Sequence, residues 1–424
     1  MSDLISYISA ADFQQEVLES SLPVAVDFYS EDCPPCAQLA PIYEKLAQKY
    51  GSKMKFVKIL RQANRELALQ LGVKSSPTVL FFQNGKEIGS RFTGYIKKAE
   101  LRQAVEKILG IDETNRDMTV EECDVLILGG GPAGLTAGIY TGRAKLKTII
   151  VDEGLAGGQA ATTYHIANYP GTGEVVRGNE LMAKMAEQAR SFGVRIEELK
   201  EVSEVDLNGP VKRIQTEDVV YYAKSVIIAT GAEPRKLPAE GEDLFRGRGV
   251  HYCATCDGIM YEGKHVVVVG GGNSAVEEAV YLTRFADKIT IIHEFDHFQA
   301  SKTAQEEAFK NPKIDIIWGA HVKKVLGEGH LQGVVYQDLA SGEMHELAAD
   351  GVFVYIGTQP RTGLFKEQLD LNQYGYIKTD EEMQTAIPGV FAAGDVRVKG
   401  VRQVITACGD GCIAALSAEK YLAQ

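Results

Sequence analysis

Two glycine-rich turns, each between a strand and a helix, constrain the fold of this chain most strongly. The first, Gly129–Gly134, follows an apolar strand at Cys123–Leu128 and leads into a helix of small residues. The second, Gly270–Ala275, follows the strand Lys264–Val269 and precedes a helix that extends to Phe285. Glycines at these spacings form the tight turn and let a pyrophosphate approach the helix N-terminus. The sequence therefore predicts two dinucleotide-binding units.

An acidic residue closes the second strand of each unit. Asp152 follows the strand Thr148–Val151, at the distance from the first turn where an acid binds a ribose. Glu294 follows the strand Lys288–Ile292 and His293. A carboxylate there accepts hydrogen bonds from a free 2′-hydroxyl and repels a 2′-phosphate, which predicts NADH rather than NADPH. The alternative is that Glu294 is a solvated acid without a role in cofactor choice.

Two Cys-x-x-Cys pairs account for four of the seven cysteines. Cys33 and Cys36 lie near the start of the chain, whereas Cys253 and Cys256 lie between the two glycine-rich turns and directly before Asp257. Seven cysteines are too few, and odd in number, for a disulfide-stapled secreted protein of this size. No second Cys or His pair at zinc spacing accompanies either pair, so we predict no metal site. The two pairs indicate a dithiol relay.

The first hundred residues have a strand and helix order of their own. The apolar run Pro23–Tyr29 predicts a buried strand, and the helical spacing of Pro35–Tyr50 places Cys33 at a helix N-terminus. Backbone N–H groups and the helix dipole lower the pKa of a thiol there, which makes Cys33 the predicted nucleophile. With the Asn84–Gly85 hairpin turn, the predicted order is β-α-β-α-β-β-α.

Length and charge limit the class of protein. A chain of 424 residues is too long for one core and allows two to four domains. Its net charge of −12 repels nucleic acid and anionic lipid, so we expect neither as a partner. No apolar run is long enough to span a membrane and no leader pattern is seen, which predicts a cytoplasmic protein.

The N-terminal residues resemble the thioredoxin family over about the first 108 positions. The resemblance implies that Asp27 is the buried acid that accepts a proton from the resolving thiol, and that Lys58 is its charged neighbour. It also places Pro77 at the family's cis-proline beside the disulfide. Two residues depart from the usual Trp-Cys-Gly-Pro-Cys: Asp32 replaces the tryptophan and Pro34 the glycine.

From Cys123 to the C-terminus the chain resembles the bacterial-type, low-molecular-weight thioredoxin reductases. The motifs that carry this resemblance are Gly157-Gly158-Gln159, Asn168-Tyr169-Pro170-Gly171, Ala229-Thr230-Gly231, Cys253-Ala254-Thr255-Cys256-Asp257-Gly258, Phe391-Ala392-Ala393-Gly394-Asp395 and Arg402-Gln403-Val404. The resemblance implies two cofactors, FAD and a nicotinamide dinucleotide, and a homodimer. The residues expected around FAD are Gly129, Gly131, Pro132, Ala133, Gly134, Asp152, Gly158, Gln159, Asn168, Thr230, Gly231, Gly394, Asp395, Arg402, Gln403 and Val404. Those expected around the nicotinamide dinucleotide are Gly271, Gly272, Asn273, Ser274, Ala275, His293 and Glu294.

Together the two resemblances predict an α/β protein with an N-terminal thioredoxin fold followed by two Rossmann-like domains of the two-domain disulfide reductase type. We expect hinges near Gly231–Pro234 and Gly357–Pro360, because the inner cysteine pair cannot face both the flavin and an outside substrate. The predicted domains are a thioredoxin domain at 1–109, a linker at 110–122, an FAD domain in two parts at 123–234 and 361–424, and a nicotinamide domain at 235–360.

The reductase resemblance also implies roles for the inner cysteine pair. Cys256 would be the sulfur near the flavin, Cys253 would attack the substrate disulfide, and Asp257 would carry a proton. An acid next to a low-pKa thiol can protonate a leaving thiolate and later take the proton back. The NADPH-binding motif His-Arg-Arg-x-x-x-Arg of the family is replaced by a segment that begins His293-Glu294-Phe295 and lacks all three arginines. The Glu-Phe pair also resembles the NADH-linked flavoprotein reductases of alkyl hydroperoxide peroxidases.

Three functions are compatible with these patterns. The leading one passes electrons from NADH through FAD and Cys253–Cys256 to Cys33–Cys36 and then to protein disulfides. The second is a flavoprotein dedicated to a peroxiredoxin, and the third uses the N-terminal domain only to bind substrates. Ferredoxin as electron donor also stays open. Cys123, Cys408, Cys412 and Trp318 are expected to pack, and none of the eight histidines has a spacing that predicts a catalytic role.

Overall fold

The computed structural model describes residues 4–31, 33–94, 96–111, 118–161, 166, 168–246, 248–252 and 254–424. For residues 34, 35, 255 and 256 it describes the backbone but not the side chains. Cys253, Asp32 and part of the predicted linker, 112–117, lie outside the described residues. The chain divides into two compact units. The first comprises Met1–Arg116, Asp243–Gly249 and Glu328–His330, and the second comprises Asp117–Glu242, Val250–Gly327 and Leu331–Gln424.

The first unit is a five-stranded sheet with helices on both faces. Its strand order is β1-β3-β2-β4-β5, in which β1, β2 and β3 run parallel and β4 and β5 antiparallel. The elements are β1 (Ser6–Tyr7), a π-helical turn (Gln14–Leu18), β2 (Val24–Tyr29), α1 (Pro34–Tyr50), β3 (Lys55–Leu60), α2 (Arg65–Gln70), β4 (Thr78–Gln83), β5 (Lys86–Thr93) and α3 (Lys98–Leu109). This is the predicted thioredoxin order, with β1 as an additional edge strand.

Two apolar clusters hold this sheet between its helices. One contains the aromatic pair Tyr43 and Phe56, whose ring centroids are 5.2 Å apart. The buried Tyr43 hydroxyl donates to the Ala25 carbonyl oxygen, so this polar group is satisfied inside the core. The other cluster lies across the sheet and contains Phe13 and Phe82. Burial on both faces explains why β2 and β4 read as nearly continuous apolar runs.

The second unit contains two sheets of the dinucleotide-binding type, of which the first combines parallel and antiparallel strand pairs and the second is parallel. In the first sheet the order is β8-β7-β6-β11-β10-β9, and β22 pairs in parallel with β11. Its elements are β6 (Thr119–Leu128), α4 (Pro132–Arg143), β7 (Thr148–Val151), α5 (Gly158–Ala161), α6 (Gly178–Ser191), β8 (Arg195–Glu197), β9 (Val202–Asp206), β10 (Lys212–Thr216), β11 (Val219–Ile228), β22 (Val390–Ala392), a 3-10 turn (Gly394–Val396) and α11 (Val404–Leu422). Strand β6 begins four residues before the predicted strand.

The second sheet is inserted between β11 and β22 of the first. Its order is β13-β20-β14-β15-β16, all parallel, and a three-stranded sheet β17-β18-β19 accompanies it. The elements are α7 (Glu242–Phe245), β13 (Val250–His251), α8 (Ala254–Asp257), a 3-10 turn (Gly258–Tyr261), β14 (His265–Val269), α9 (Asn273–Leu282), β15 (Lys288–Ile292), α10 (Lys302–Lys310), β16 (Ile314–Ile317), β17 (Ala320–Glu328), β18 (His330–Asp338), β19 (Met344–Ala348) and β20 (Gly351–Val354).

The chain passes between these two sheets twice, and the two connecting segments lie side by side. Strand β12 (Ala232–Pro234) pairs antiparallel with β21 (Thr358–Pro360), and the Arg235 amide donates to the Gly357 carbonyl oxygen at 3.0 Å. The two segments for which the sequence predicts hinges therefore form one two-stranded ribbon. Among the described helices, none is long and apolar enough to cross a membrane.

Candidate functional site

The N-terminal cysteine pair lies where α1 begins. Cys33 is the N-cap residue of α1 and forms a disulfide with Cys36, as the helical spacing predicts for Cys33. The Cys36 amide donates to the Cys33 sulfur at 3.3 Å, so a backbone N–H already faces the sulfur predicted to be the nucleophile. Cys36 is 7% exposed, which leaves Cys33 as the more accessible of the two. The Ser76–Pro77 peptide bond is cis, as predicted.

Asp27 lies on β2 with no solvent exposure. The Lys58 Nζ atom is 3.7 Å from its Oδ2, which is an ion-pair contact but too long for a hydrogen bond, and neither carboxylate oxygen has a hydrogen-bond partner among the described residues. Burial raises the pKa of Asp27 to about 6, and the charge of Lys58 opposes the shift. A carboxyl group with this pKa can hold or release a proton near neutral pH.

Three polar side chains at the cis-proline were not anticipated from the sequence. The Ser30 hydroxyl donates to the Ser76 hydroxyl at 2.8 Å, and the Arg61 Nε donates to the same oxygen at 2.9 Å. They come from the ends of β2 and β3 and from the loop before β4. This network therefore fixes the segment that carries Pro77, and only the fold brings its members together.

The first glycine-rich turn is closed by the backbone of the neighbouring strand. A Cβ atom on Gly129 would lie 2.3 Å from the Ala229 carbonyl oxygen, and one on Gly134 would lie 1.8 Å from the Gly129 oxygen. Only glycine fits at either position. The Asp152 carboxylate accepts hydrogen bonds from the Gly130 and Gly154 amides, so it orders the turn itself. Its predicted contact with a ribose stays a prediction.

The C-terminal motifs lie beside this turn, where α11 packs against α4. The Asp410 carboxylate accepts from the Gly394 amide at 3.0 Å and pairs with the Lys399 ammonium at 2.8 Å, in a buried cluster. This cluster fixes the backbone that carries Asp395. Burial raises the pKa of Asp395, opposed by Lys399 and Arg402. Asp410 belongs to no motif with a fixed spacing, so the sequence alone does not indicate its role.

Two polar atoms at this place are buried without hydrogen-bond partners among the described residues. They are Oδ1 of Asp395 and Nε of Arg402, whose guanidinium carbon lies 4.3 Å from the centroid of the Tyr376 ring. Unsatisfied buried polar atoms of this kind indicate that the native partner is a bound group. The donor and acceptor pair beside a glycine turn fits FAD, and the assignment of these two residues to its site stays a prediction.

The other residues predicted around FAD come to the same end of the first sheet. Gly158 approaches Gly131 backbone to backbone, since its Cβ would lie 3.1 Å from the Gly131 Cα. The Asn168 side-chain amide donates to Gln403 Oε1 at 3.0 Å, which joins two distant motifs. The starts of helices α4, α5 and α11 contain four more of these residues: Pro132, Ala133, Gln159 and Val404. Thr230 and Gly231 follow β11. The Thr230 hydroxyl donates to the Arg361 carbonyl oxygen.

The second glycine-rich turn opens α9 and is built around a histidine. A Cβ on Gly271 would lie 2.3 Å from Nε2 of His293, so the glycine makes room for the ring. Burial lowers the pKa of His293, which keeps the ring neutral at neutral pH. Gly272 is the N-cap residue, and no described atom lies within 4 Å of the position of its Cβ. Asn273, Ser274 and Ala275 form the first turn of α9, whose N-terminus is thus open to an anion.

Glu294 follows His293 at the end of β15 and is half exposed. The Oε2 atom of Glu294 lies 3.2 Å from Nε2 of His321 on β17. The exposed ring of Phe295 comes next along the chain. Glu294 thus directly follows the histidine that Gly271 accommodates, and its contact with a ribose stays a prediction.

The inner cysteine pair is only partly described, because Cys253 and the side chain of Cys256 lie outside the described residues. The helix α8 that contains Cys256 is held at its start, where the Ala254 amide donates to the Tyr355 hydroxyl oxygen at 2.7 Å. Asp257 ends this helix and lies 3.0 Å, from Oδ2 to Nδ1, from the buried His251. Burial raises the pKa of Glu278 on α9 to about 7, and its Oε2 has no described partner.

Of the cysteines outside the two pairs, the three described ones are free thiols. Cys123 is buried, which raises its pKa to about 12 and makes it unreactive, as expected. Cys408 is buried and Cys412 is half-buried on α11. No cluster of three or more metal-binding side chains occurs in the described part of the chain.

Comparisons with known proteins agree with this geometry. Residues 123–411 match the family model "Pyridine nucleotide-disulphide oxidoreductase", and residues 5–107 match the model "Thioredoxin". The chain is 49% identical to the "34.2 kDa protein in rubredoxin operon" of Clostridium pasteurianum over 302 residues, 71% of this chain and 98% of that protein. It is 48% identical to the thioredoxin reductase of Peptoclostridium acidaminophilum over 305 residues, 70% of this chain and 96% of that protein.

A solved structure gives the same result. The crystal structure of Lactococcus lactis thioredoxin reductase in its FR conformation superposes with a TM-score of 0.65 at 44% identity and covers 71% of this chain and 99% of that one. The predicted fold class is thereby confirmed. With a thioredoxin domain ahead of its two nucleotide-binding sheets, the chain belongs to the pyridine nucleotide-disulphide oxidoreductases, enzymes that use FAD and a nicotinamide dinucleotide, and is homologous to thioredoxin reductases.

Proposed function

We propose that this enzyme is an NADH-dependent thioredoxin-disulfide reductase fused to the thioredoxin that it reduces. The observation that carries the proposal is that one chain contains both a thioredoxin unit with the Cys33–Cys36 disulfide and a reductase unit with a second Cys-x-x-Cys pair. When a reductase and the thioredoxin that it reduces belong to one chain, the residues between them keep the two at a high effective concentration. The final substrates would be disulfides of other proteins.

The reductase residues fit FAD at the first glycine turn. Asp395 and Arg402 would hold the flavin through their unsatisfied atoms, and the α4 N-terminus would face its pyrophosphate. When bound, FAD supplies two-electron chemistry that links a nicotinamide hydride to a disulfide. Glu294 would bind the 2′-hydroxyl of NADH, and its negative charge would repel the phosphate of NADPH.

The chain's own residues would then carry out thiol–disulfide exchange. A thiolate of the inner pair, Cys253, attacks the Cys33–Cys36 disulfide to form a mixed disulfide, and Cys256 resolves it. Asp257 gives a proton to a departing thiolate and takes one from the attacking thiol. In the thioredoxin unit, Cys33 attacks the target disulfide, and Asp27 takes the proton of Cys36 when that residue releases the product.

An anaerobic reductive titration of the flavin-containing enzyme with NADH tests the relay. The wild type should take up two electrons more than the Cys33→Ser/Cys36→Ser variant before excess NADH appears. The matched control is Cys408→Ser/Cys412→Ser, which also removes two cysteines and should titrate like the wild type. Equal uptake by all three proteins would refute electron transfer to the thioredoxin unit.

A peroxiredoxin-dedicated reductase is the second candidate, favoured by the Glu294-Phe295 pair and the altered residues around Cys33. Turnover with a disulfide-bridged peptide decides between the two. Fast reduction of the peptide supports a general thioredoxin system. Reduction of a peroxiredoxin disulfide with no turnover of the peptide supports the dedicated enzyme.

A further inference from the structure

The strongest unassigned feature is a buried histidine behind the acid of the inner cysteine pair. His251 ends β13, and its side chain is 1% exposed. Its Nδ1 atom lies 3.0 Å from Oδ2 of Asp257, and its Nε2 atom lies 2.7 Å from the hydroxyl oxygen of Tyr261. The three side chains form a chain of contacts from the core to a carboxylate that is 27% exposed.

Packing holds the imidazole ring in one orientation. His251 stacks on Phe353 with ring centroids 5.2 Å apart and an interplanar angle of 28°, and Tyr261 meets both rings edge-on. Gly351 makes room for the tyrosine, since a Cβ there would lie 2.3 Å from its ring. The imidazole therefore cannot turn away from Asp257 without disrupting the edge of the β13-β20-β14 sheet.

The tyrosine allows the ring to exist in two protonation states. Burial, with the charges of Asp257 and Asp350, raises the pKa of Tyr261, so the phenol keeps its proton. A neutral His251 donates from Nδ1 to Asp257 and accepts at Nε2 from the hydroxyl. A protonated His251 donates from both nitrogens, and the same hydroxyl turns to accept.

Charged side chains surround this place on more than one element. Asp257 faces Nδ1 directly from α8, and Asp350, which precedes β20, acts on the Tyr261 end. The Lys264 ammonium lies 5.5 Å from the centroid of the Tyr261 ring. On the α8 side, Tyr355 is influenced by the charges of Glu278 and Asp257. The acid in contact with the imidazole is the nearest of these groups.

We propose that His251 is a positioning residue that orients the Asp257 carboxylate and stores the proton that Asp257 exchanges with the inner cysteines. The inference rests on the proposed function, because it assumes that Asp257 acts on thiol–disulfide exchange. In the reducing direction, an inner thiolate attacks the partner disulfide, one S–S bond forms as another breaks, and a partner thiolate departs. The second inner thiol then closes the inner disulfide and releases the second partner thiolate.

The proton balance of that step explains the need for a store. The thiol that closes the inner disulfide loses a proton, and the departing thiolate gains one. The Asp257–His251 pair takes the first proton and supplies the second, and so returns to its starting state. An imidazole holds a proton to a higher pH than a carboxylate does. A histidine behind the acid would thus keep a proton available at a higher pH than a carboxyl group alone can.

The test is His251→Asn in the flavin-containing enzyme, because asparagine keeps a donor toward Asp257 but cannot take an extra proton. The control is His265→Asn, which changes another histidine of the same sheet, hydrogen-bonded to Thr290. We expect NADH-driven reduction of a disulfide-bridged peptide to fall about tenfold at about pH 7.5 and less than about twofold at about pH 5.5. The control should keep wild-type turnover, and flavin bleaching by NADH should be unchanged.

An unchanged rate in His251→Asn, or an equal fractional loss at both pH values, would overturn the proposal. Tyr261→Phe gives an independent reading, since it removes only the hydroxyl and should cause a smaller loss that is also confined to the higher pH. Asp257→Asn separates the two hypotheses. If that variant is slow and His251→Asn is not, the proposed function stands and the inference fails; if Asp257→Asn is as fast as wild type, both assignments fail.

Discussion

Replacing Asp27 by asparagine should stabilise the thioredoxin unit, but only above the pH at which the buried carboxyl ionises. Its pKa is about 6 in the folded chain, against an ordinary 3.8. The folded state therefore holds a proton that the unfolded state has lost, and stability falls as pH rises from about 4 through about 6. A difference of about 2 pKa units corresponds to about 3 kcal/mol of free energy of unfolding.

The gain for Asp27→Asn at about pH 8 should approach this figure, because the pKa of about 6 already includes the opposing charge of Lys58. The Lys58 ammonium, 3.7 Å from Asp27 Oδ2, has further contacts with the rings of Tyr29 and Tyr43 at 5.8 and 5.7 Å. We therefore expect a gain of about 3 kcal/mol at about pH 8 and almost none at about pH 4. The same variant should slow release of reduced substrate, because it removes the proposed proton acceptor.

Hydrogen exchange of the β2 amides in the full chain measures this gain. Tryptophan fluorescence does not serve, because the single tryptophan, Trp318, lies in the second unit. The control is Asp12→Asn. Hydrogen bonds from Ser9 lower the pKa of Asp12, so that its contribution is present above the ordinary pKa and lost as pH falls, the opposite sign. A pH-independent gain, or a loss at about pH 8, would refute the reasoning for Asp27.

Three further predictions follow from single contacts. Glu294→Arg should shift the ratio of kcat/KM for NADH over NADPH by at least about tenfold toward NADPH, because it replaces repulsion of the 2′-phosphate with attraction; an unchanged ratio would show that Glu294 is merely solvated. Glu278→Gln should raise the free energy of unfolding by about 3 kcal/mol above pH 7 and leave it unchanged below about pH 4, because the buried carboxyl has a pKa of about 7 against 4.5; Trp318 fluorescence in urea measures it, and equal stability at both pH values would contradict it. Gly411→Ala should lose bound FAD, because its Cβ would lie 2.2 Å from the Ala133 carbonyl oxygen, whereas Gly409→Ala on the same helix meets nothing within 4 Å; equal flavin absorbance in both would contradict the assignment.

The sequence predicted best what depends on neighbours along the chain. The glycine turns, the helices that follow them and the helix N-terminus at Cys33 are local features, although α4 begins at Pro132 and α9 at Asn273, inside the segments predicted as turns. Strand β1 was missed because it has only two residues and exists through its pairing with β3. A strand of this length carries no periodic pattern that could be recognised.

Contacts between residues distant in sequence account for most of what was missed. The sequence does not indicate a role for His251, because this histidine lacks the spacing of a ligand. The proton-carrying role of Asp257 is predicted without it, although the two residues are in contact beside the inner cysteine pair. Asp410, on α11, stabilises the turn at Gly394 and pairs with Lys399, whereas the sequence predicts for this stretch only that Cys408 and Cys412 pack. Which polar side chains face each other across such elements is decided by packing, which no single motif encodes.

Buried acids mark each predicted site of this enzyme, and their cost argues that they serve chemistry. Asp27 precedes Cys33 on β2, Glu278 influences the tyrosine that holds α8, and Asp395 lies in the expected FAD site. Burial raises the pKa of all three, which means that each destabilises the fold once ionised. Packing alone would be better served by apolar side chains of similar size. Disulfide and flavin reduction both consume protons, and carboxyl groups with raised pKa values can supply them where an apolar side chain cannot, which is the reason we expect these acids at the places where protons must move.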